Sequence, residues 1–267
     1  MTIALIDADI LIYEAAASCE TSIPWPYGDA GEVLWTRHAH VAEAWAQLTD
    51  SIEKLAEKAG ATSYIACVTD TANWRYAVYA DYKSNRKQSV KPMLVPMLRE
   101  QVALAKWGFR REGLEGDDCM GILQTMPQVD DTVCITIDKD LKTIPGRHYH
   151  QRNEDDFVVT EAEANRWHLL QTLAGDATDG YPGCRGIGMV KAEKLIPDPV
   201  ESKDIPTVWA EIIVPAFEKA GFDEAFALSQ ARVARILRAC DYNPKTKKVI
   251  PWNPSKPLPS GRSRAAS

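Results

Sequence analysis

Three short apolar runs alternate with longer amphipathic stretches along the first half of the chain. The runs IALID, SYIACV and TVCITID have the length and β-branched content of buried strands. Between the first two, apolar residues recur at the helical spacing of positions 41, 45, 48, 52 and 55, and Gly60 ends that stretch. The alternation predicts an α/β fold with a mostly parallel central sheet and helices on both faces.

Other stretches have weaker periodicity. We expect a helix over residues 10–18, an irregular excursion with a short hairpin over 20–37, and a helix over 93–107 that Gly108 ends. The segment LEGDDCMGIL, residues 114–123, should open the following helix.

The character of the chain changes after residue 157, where helical patterns replace strands. Thr160 and Glu163 have the spacing of a capping box, and residues 205–240 are expected to be helical. We therefore predict an α/β core over residues 1–159, a helical region over 160–245 and a flexible tail over 246–267 that is rich in Pro and Lys.

Composition narrows the class of protein. The chain has 267 residues, of which 45% are hydrophobic, enough for one large domain or a domain with a subdomain. Its six cysteines form no CxxC pair, which indicates a reducing compartment. The N-terminal MTIALIDADILIY lacks a basic region and contains Asp7 and Asp9, so it predicts neither a signal peptide nor a membrane span. We expect a cytoplasmic protein.

Acidic residues follow the predicted strands. Asp7 and Asp138 end two of them, and Asp70 comes two residues after Val68. Ligands of open α/β sheets bind at the carboxyl ends of the strands, so these side chains should lie close together. The segment LEGDDC adds Glu115, Asp117 and Asp118 at a helix start, where the helix dipole explains one acid but not three.

Each acid has an ordinary alternative interpretation. Asp176 and Asp179 in GDATDG fit a Gly/Asp turn, which alone would be favoured, and Asp138 and Asp140 fit a strand-end turn and a helix cap. The hypothesis of a metal site depends on the whole set, which comprises Asp7, Asp70, Glu115, Asp117, Asp118, Asp138, Asp140, Asp176 and Asp179. Such crowding requires cations, and oxygen ligands without His or Cys favour Mg²⁺ or Mn²⁺.

The net charge of −6 argues against nucleic acid until these acids are assigned to metal. Setting nine of the 37 acids aside leaves 28 against 31 Lys and Arg, a mildly basic remainder. The run YKSNRKQSVK carries four cations without an intervening acid: Lys83, Arg86, Lys87 and Lys91. A solvated surface is the usual explanation, but this run joins two acidic segments and should lie over them, where it suits a scissile phosphate.

A second basic feature is GYPGCRGIGMVKAEKLI. Gly183, Gly186 and Gly188 precede a helix that carries Lys191 and Lys194, a pattern typical of a helix–hairpin–helix that binds a DNA backbone. The alternative is a plain turn between helices. His38, His40, His148 and His150 have no zinc-ligand spacing around them, and the chain has no P-loop and no nucleophile elbow.

The segments LIDAD, YKSNR, EGDD, TIDKDL and GDATDGYPGCRGIG, in this order, resemble the 5′-nuclease family of flap endonucleases and the 5′→3′ exonuclease domain of DNA polymerase I. LLQTLAGDATDGYPG and ARVARILRACDYNPKTKKVIPW resemble in particular the gene 6 exonucleases of short-tailed phages. The resemblance spans residues 3 to about 252 and implies a PIN-like fold and a nuclease that uses two metal ions.

The resemblance also assigns roles. Asp7, Asp70, Glu115, Asp117 and Asp118 would form one metal region, while Asp138, Asp140, Asp176 and Asp179 would complete the other. Lys83 and Arg86 would contact the scissile phosphate, with Lys87 and Lys91 as further DNA contacts. Residues 181–196 would bind duplex backbone, with a K⁺ held by hairpin carbonyls. Two or three Mg²⁺ or Mn²⁺ ions are the expected cofactors.

One departure from the family concerns the arch through which large flap endonucleases thread a 5′ strand. Only 28 residues separate Arg86 from Glu115, and two prolines interrupt them, so we expect a shorter clamp. The sequence therefore predicts a monomeric 5′→3′ exonuclease on duplex DNA ends, with RNA–DNA hybrids as further substrates and replication proteins as partners. The alternatives are a flap endonuclease, a DNA-binding factor without catalysis and an RNase with a related fold.

Overall fold

The structure is a computed structural model that describes residues 1–27, 31–88, 90–129 and 131–255. The side chains of residues 87 and 88 also lie outside the described set, so the predicted DNA contact of Lys87 is not placed. The part of the predicted tail that follows residue 255 lies outside it as well.

Within these residues, a six-stranded sheet in the order β5-β4-β1-β6-β7-β8 forms the centre of the molecule. Neighbouring strands are parallel except β7 and β8, which confirms the predicted mostly parallel sheet. The strands are β1 (Ile3–Asp7), β4 (Ser63–Cys67), β5 (Gly108–Phe109), β6 (Thr132–Thr136), β7 (Gly146–His150) and β8 (Asp156–Val159). Sequence analysis missed β5, β7 and β8, because β5 is very short, β7 consists mostly of polar residues and β8 is a four-residue edge strand.

Helices cover both faces of the sheet, as predicted. On one face α1 (Ala8–Ser18), α2 (Val41–Lys58) and α3 (Val95–Leu104) pack on Ala4 and Ile6. On the other face α4 (Gly116–Gln124) packs on Leu5. The two-residue alternation of β1 therefore buries both sides of the central strand. None of the described helices has the length and apolar character needed to cross a membrane.

An antiparallel ribbon replaces the irregular excursion predicted over residues 20–37. Its strands, β2 (Glu20–Tyr27) and β3 (Glu32–Ala39), are eight residues each and pair only with one another among the described strands. Pro24 and Pro26 disguise the pattern in the sequence, but a two-stranded ribbon has open edges at which proline is tolerated. The predicted hairpin is therefore present, but its strands are longer than the sequence predicted and regular over most of the segment.

The helical region contains α5 (Glu161–Ala174), α6 (Met189–Leu195), α7 (Ile205–Val208), α8 (Val214–Lys219) and α9 (Glu224–Ala234). The capping box is confirmed, since Thr160 and Glu163 bond to one another's backbone amides. A π-helical turn over Trp209–Ile213 links α7 to α8. The expected helix over 205–240 ends at Ala234, after which the chain becomes extended.

The C-terminal residues return to the α/β core. Ile236 and Leu237 pack in the same cluster as Leu5, and a small antiparallel pair follows, β9 (Tyr242–Asn243) with β10 (Lys248–Val249). Trp252 is 4% exposed, and its ring lies 4.8 Å from that of His168. The predicted flexible tail is therefore wrong over residues 246–255, because this buried tryptophan anchors the chain.

Candidate active site

A cleft of about 1170 Å³ opens where the parallel strands end. Seven of the nine predicted acids line it, and two others, Asp118 and Asp176, do not. The seven are Asp7, Asp70, Glu115, Asp117, Asp138, Asp140 and Asp179. The structure thus brings these carboxylates together from the strand ends, the start of α4, the turn that carries Asp140 and the loop that carries Asp179.

Asp7, Asp117 and Asp138 form the centre of the cleft. Burial raises the pKa of Asp7 to about 7, with further contributions from the charges of Asp9 and Asp138. Burial also raises the pKa of Asp117 well above its ordinary value, and the charges of Asp7 and Asp138 add to this effect. Thr136 links two of the acids, since its Oγ1 donates to Asp7 at 3.3 Å and accepts from the Asp138 amide at 3.0 Å.

Glu115 behaves differently because cations surround it. Its Oε2 accepts from Arg75 Nη1 at 2.9 Å and from the Tyr82 hydroxyl at 2.9 Å, and its Oε1 accepts from Lys83. Burial alone would raise the pKa of Glu115, but Arg75 and Lys83 outweigh it and hold the pKa at about 2. Glu115 is therefore a fixed anion that also caps α4.

A tight loop over residues 176–181 brings the remaining acids into place. Asp176 and Tyr181 bond to one another's backbone across the loop, and Asp176 Oδ1 accepts from the amides of Thr178 and Asp179. Burial opposes ionisation of Asp176, but these amides and Lys139, 3.4 Å away, lower its pKa. Asp176 lies behind the cleft, while Asp179 faces it.

Asp140 joins this second group from the 3₁₀ turn at Lys139–Thr143. Burial raises its pKa to about 7, and the charges of Asp138 and Asp176 contribute. Gln171 Nε2 donates to its Oδ1 at 2.5 Å. Asp140 therefore connects the end of β6 with α5 of the helical region.

Asp70 lies at the margin of the cleft. Its Oδ2 accepts from the Gly113 amide at 2.9 Å, and Arg110 is 4.0 Å away. Burial opposes ionisation, but backbone amides, that of Gly113 first, lower its pKa. Asp70 is therefore an ionised side chain at the edge of the cleft, where the Gly113 amide and Arg110 are its partners.

The structure places Asp118 outside the cleft, in contrast to the prediction. Its carboxylate is fully buried and forms a double ion pair with Arg75, at 2.7 and 2.8 Å. Trp74 Nε1 and the Leu237 amide also donate to it, at 3.0 and 3.1 Å. Consecutive residues of a helix point about 100° apart, so Asp117 faces the cleft while Asp118 faces the core. We correct Asp118 from metal ligand to buried partner of Arg75.

Lys83 lies between the two acidic groups. Its Nζ contacts Glu115 and is 3.7 Å from Asp179, and its side chain is only 17% exposed. Burial opposes its charge, but Glu115 and Asp179 outweigh this and raise its pKa. Arg86, on the 3₁₀ turn Ser84–Gln88, donates to Asp179 Oδ1 at 2.6 Å. The predicted position of both cations over the acids is therefore confirmed.

The sequence predicts a segment after Arg86 that is too short for a full arch, and the described residues are consistent with this prediction. Residues 90–94 form an irregular segment that leads into α3, and the described residues between Arg86 and α3 contain no longer helical arch. Lys91 lines the cleft, and its carbonyl accepts from Arg37 at 2.8 Å. Arg37 of β3 thus bonds to the backbone of the segment that follows the 3₁₀ turn.

The glycine-rich turn divides into a buried and an exposed part. A Cβ on Gly183 would lie 2.3 Å from the Gly175 amide nitrogen, and its φ is +62°. This predicted DNA contact is therefore wrong, because Gly183 lets the turn pack on the end of α5. Gly186 and Gly188 are exposed before α6, as are Lys191 and Lys194.

Sequence reasoning missed three residues of the cleft. Asp9 accepts from the Thr69 amide at 2.9 Å and from Arg99 at 2.8 Å. Its signal is the repeated acid in DAD. Arg75, 2% exposed, also lines the cleft, and nothing in its local sequence reveals that a cation is buried. Tyr82 bridges Glu115 and Asp179 through its hydroxyl, each at 2.9 Å.

The donor set fits divalent cations that prefer oxygen. The cleft acids whose pKa values are raised, Asp7, Asp117, Asp138 and Asp140, lie in one crowded region that a cation would stabilise. Among the described residues, no three His, Cys, Asp or Glu side chains form a ready-made metal-binding group. Mg²⁺ accommodates such an open arrangement, because it keeps several waters and takes one or two protein carboxylates.

These raised pKa values predict an unusual pH dependence of stability in EDTA. Between about pH 4 and pH 7 the folded protein holds protons on Asp7 and Asp140 that the unfolded chain releases, since their ordinary pKa is 3.8. The free energy of unfolding should therefore fall as the pH rises from about 5.5 to about 8, by roughly 2 kcal/mol for Asp7 alone. Glu115 acts oppositely, but its stabilisation is lost only towards pH 2, below this window.

Urea unfolding in EDTA at the two pH values measures this effect. Mg²⁺ should restore the stability at the higher pH, because the cation replaces the lost protons. Asp7→Asn should reduce the pH dependence to the part that Asp140 contributes, and it serves as the control. Equal stability at both pH values in the unsubstituted protein would contradict a crowded, buried set of acids.

Comparisons with known proteins identify the family of the chain. Residues 2–166 match the family described as 5′-3′ exonuclease, N-terminal resolvase-like domain. The exodeoxyribonuclease of Enterobacteria phage T3 is 31% identical over 287 aligned positions, which cover 94% of this chain and 93% of that protein. The exonuclease of Escherichia phage T7 is 32% identical over 294 positions with the same coverage.

A solved structure supports the same fold. The 5′-exonuclease of T5 with bound zinc ions superposes with a TM-score of 0.62 and 14% identity, covering 88% of this chain and 89% of that chain. At this identity the similarity shows the fold alone. Together with the family match over most of the α/β core and the similarity to the two phage enzymes over nearly the whole chain, it establishes that the chain belongs to the 5′-3′ exonuclease family.

Proposed function

We propose that this member of the 5′-3′ exonuclease family hydrolyses phosphodiester bonds from the 5′ ends of duplex DNA with bound Mg²⁺ or Mn²⁺. The observation that carries the proposal is a cleft in which crowded carboxylates face the cations Lys83 and Arg86. Carboxylates alone would repel a phosphate, and cations alone would only bind it. The two together suit cleavage.

The acids divide into two groups that would hold two or three ions. Asp7, Asp117 and Asp138, with Glu115 beside them, form the first group. Asp140 and Asp179, with Asp176 behind them, form the second, and Asp70 lies at the edge of the cleft. When bound, such ions activate a water and neutralise charge on the phosphate.

The protein's own cations would hold the phosphate during this reaction. Lys83 is held in place by Glu115 and Asp179, so its ammonium needs little reorganisation to donate to a phosphate oxygen. Arg86 is 49% exposed and brings a planar donor to the rim of the cleft. Lys91 adds positive charge on the clamp side.

Duplex DNA would be held by the helix–hairpin–helix outside the cleft. The exposed glycines 186 and 188 allow a backbone to approach, and Lys191 and Lys194 supply charge from α6. The resemblance also implies a K⁺ on hairpin carbonyls. Lys191 Nζ already donates to the Gly186 carbonyl at 2.7 Å, so a K⁺ would use other carbonyls or displace this ammonium.

The relatives suggest the biological setting. Phages T3 and T7 encode the similar exonucleases, so we place the enzyme in the cytoplasm of an infected host, acting as a monomer in phage DNA replication or recombination. RNA–DNA hybrids are further substrates in this proposal, which would allow primer removal with replication proteins as partners. A T5 flap endonuclease of TM-score 0.60 to this chain has been solved with DNA and metal ions.

The deciding experiment compares 5′-labelled blunt, recessed, nicked and flapped duplexes, and an RNA–DNA hybrid, with Mg²⁺ and then with EDTA. Labelled mononucleotide from duplex ends, lost in EDTA, is the expected result. Release of an intact flap as the main product would instead indicate a flap endonuclease. Binding without any cleavage would reduce the protein to a DNA-binding factor.

We expect Lys191→Ala to weaken duplex binding about equally for every sequence, because the contact is with phosphate. The slope of log affinity against log salt should fall by roughly one unit. The cleavage rate at saturating DNA should stay near that of the unsubstituted enzyme. Binding titrations in Ca²⁺ at several salt concentrations measure this, with Lys54→Ala, an exposed lysine on α2, as control. A loss of affinity that depends on the base sequence would contradict backbone contact.

A further inference from the structure

Arg75 is a buried cation that uses its whole guanidinium group. Nη1 donates to Glu115 at 2.9 Å and to Asp118 at 2.7 Å, and Nη2 donates to Asp118 at 2.8 Å. The remaining donors bond to backbone carbonyls, Nε to Val233 at 3.0 Å and Nη2 to Arg235 at 2.7 Å. These bonds occupy all five N–H groups of the side chain, which leaves it one orientation.

The two carbonyls belong to residues 233–237, the last two residues of α9 and the three extended residues after it, which we call the strap. The strap begins in the last turn of α9 and lies more than a hundred residues after the acids of α4. Its Leu237 amide donates to Asp118 Oδ1 at 3.1 Å. The strap therefore bonds to both partners of the ion pair, to Arg75 through its carbonyls and to Asp118 through this amide. Val233, Ala234 and Ile236 also line the cleft.

Further bonds fix the strap to the rest of the protein. Just beyond it, Arg238 Nη2 donates to the Thr143 carbonyl at 2.8 Å, and its Nη1 donates to Asn165 at 3.0 Å. Arg235 forms a buried ion pair of 2.9 Å with Asp241. The strap is thus anchored both to the turn that carries Asp140 and to α5, and it cannot shift independently of either.

We propose that the strap positions the cleft acids through Arg75, so that residues 233–237 are a part of the nuclease site that neither the acid motifs nor the basic run reveals. The connection runs from the strap carbonyls to Arg75, from Arg75 to Glu115, and from Glu115 to Lys83. In this proposal Arg75 and the strap are positioning elements that act through Glu115 and Lys83. This inference rests on the proposed function, since it concerns the same reaction.

The geometry of the guanidinium explains why a positive charge alone would not suffice. A planar fork binds Glu115, Asp118 and two carbonyls at fixed angles, whereas a lysine ammonium has three donors on a flexible stem. Arg75→Lys would keep the charge but release at least two of these contacts. Glu115 and Lys83 would then be free to shift, and displacements of about 1 Å near a reacting group cost on the order of a hundredfold in rate.

The test measures the single-turnover rate and DNA binding of Arg75→Lys in parallel. We expect the rate to fall by about a hundredfold, while the Kd for duplex in Ca²⁺ changes by less than about threefold. Arg75→Ala should regain activity when guanidinium is added and should not respond to equal concentrations of NaCl. Mn²⁺ binding, followed by its EPR signal, should weaken by at least about threefold. This readout does not depend on cleavage.

Arg232→Lys is the matched control, because Arg232 precedes the strap and donates to the Trp252 carbonyl at 3.2 Å, away from the cleft. It should leave rate and Mn²⁺ binding unchanged. A folded Arg75→Lys with ordinary rate and Mn²⁺ affinity overturns the proposal. So does a rate loss that guanidinium does not rescue in Arg75→Ala, since that would mean a merely structural role.

A second variant covers the case in which Arg75→Lys does not fold. Asp118→Asn keeps the size of the side chain, but it removes the negative charge and replaces one accepting oxygen with a donor, so it loosens the hold on Arg75. It should show the same combination of a lower rate, unchanged Kd and weaker Mn²⁺ binding. A rate and a Mn²⁺ affinity equal to those of the unsubstituted protein would overturn the proposal. Failure of the proposed function looks different, because the unsubstituted protein would then cleave no 5′ end with Mg²⁺, while Mn²⁺ binding would still decide the role of the strap.

Discussion

Asp117→Asn should stop cleavage while the protein still folds and binds DNA. The Asp117 carboxylate faces Asp7 and Asp138 in the centre of the cleft, and their charges raise its pKa together with burial. Removing one of these charges relieves repulsion, so the variant should be at least as stable as the original protein in EDTA. Cleavage should fall by on the order of a thousandfold, the upper range for losing one preorganised charge-stabilising group.

The measurement combines single-turnover cleavage in Mg²⁺, duplex binding in Ca²⁺ and urea unfolding in EDTA. Duplex affinity should be equal or higher, because less negative charge meets the phosphate. Asp81→Asn is the matched control, since Asp81 is exposed and does not line the cleft. Normal cleavage by Asp117→Asn would mean that the acids of this segment serve only as a helix start.

The neighbouring substitution should behave in the opposite way for stability. Asp118 is fully buried against Arg75, and removing one partner of a buried ion pair leaves an uncompensated charge. Asp118→Ala should therefore destabilise the fold by about 3–5 kcal/mol, whereas Asp117→Asn should not. Two adjacent acids of one motif thus have different physical roles.

This pair shows how far the sequence could lead. Strand ends and a helix start are local features, so Asp7, Asp138 and Asp117 could be assigned to one edge of the sheet before the structure was known. Which of Asp117 and Asp118 faces the cleft depends on the rotation of α4 against the core. The buried Arg75 settles that rotation, and its burial results from packing against residues far along the chain.

The same limit explains the other errors. Gly183 fits a DNA-binding turn by its spacing, but its lack of a side chain serves a close approach to Gly175. Trp252 lies among prolines that suggest a loose tail, yet its ring packs on His168. Both contacts join elements that are distant in sequence, and no local pattern records them. The predicted division at residue 160 is blurred for the same reason, because Leu237 packs in the core of the first region.

Lys83→Ala should lower the single-turnover rate by on the order of a hundredfold or more, the size expected for the loss of one preorganised contact to a reacting group. Lys83 is 17% exposed and is held by Glu115 and Asp179, so its charge acts in a partly dehydrated site. That charge is worth most when the phosphate gains negative charge in the transition state. Duplex affinity should change far less, because the proposed contacts of Lys191 and Lys194 with the backbone would remain.

Arg86 offers a graded comparison. It is 49% exposed and bonds to Asp179 and to the Thr178 carbonyl, so solvent screens its charge more than that of Lys83. Arg86→Ala should therefore cost less than Lys83→Ala, and Arg86→Lys should recover only part of the loss because the planar fork is missing. Equal losses of cleavage rate in Lys83→Ala and Arg86→Ala would argue against the inference that the more buried cation contributes more.

The competing explanation of Lys83, a solvated basic surface, predicts the reverse pattern. It predicts a small loss of affinity that added salt imitates, with unchanged chemistry at saturating enzyme. Lys106→Ala, an exposed lysine outside the cleft, shows what such a surface loss looks like. Because Lys83 has a φ of +53°, alanine and lysine meet the same backbone strain there, and the comparison isolates the ammonium. No other described lysine lies between Glu115 and Asp179, so none could replace the Lys83 ammonium in the variant. Unchanged single-turnover cleavage in Lys83→Ala would therefore exclude Lys83 from the reaction.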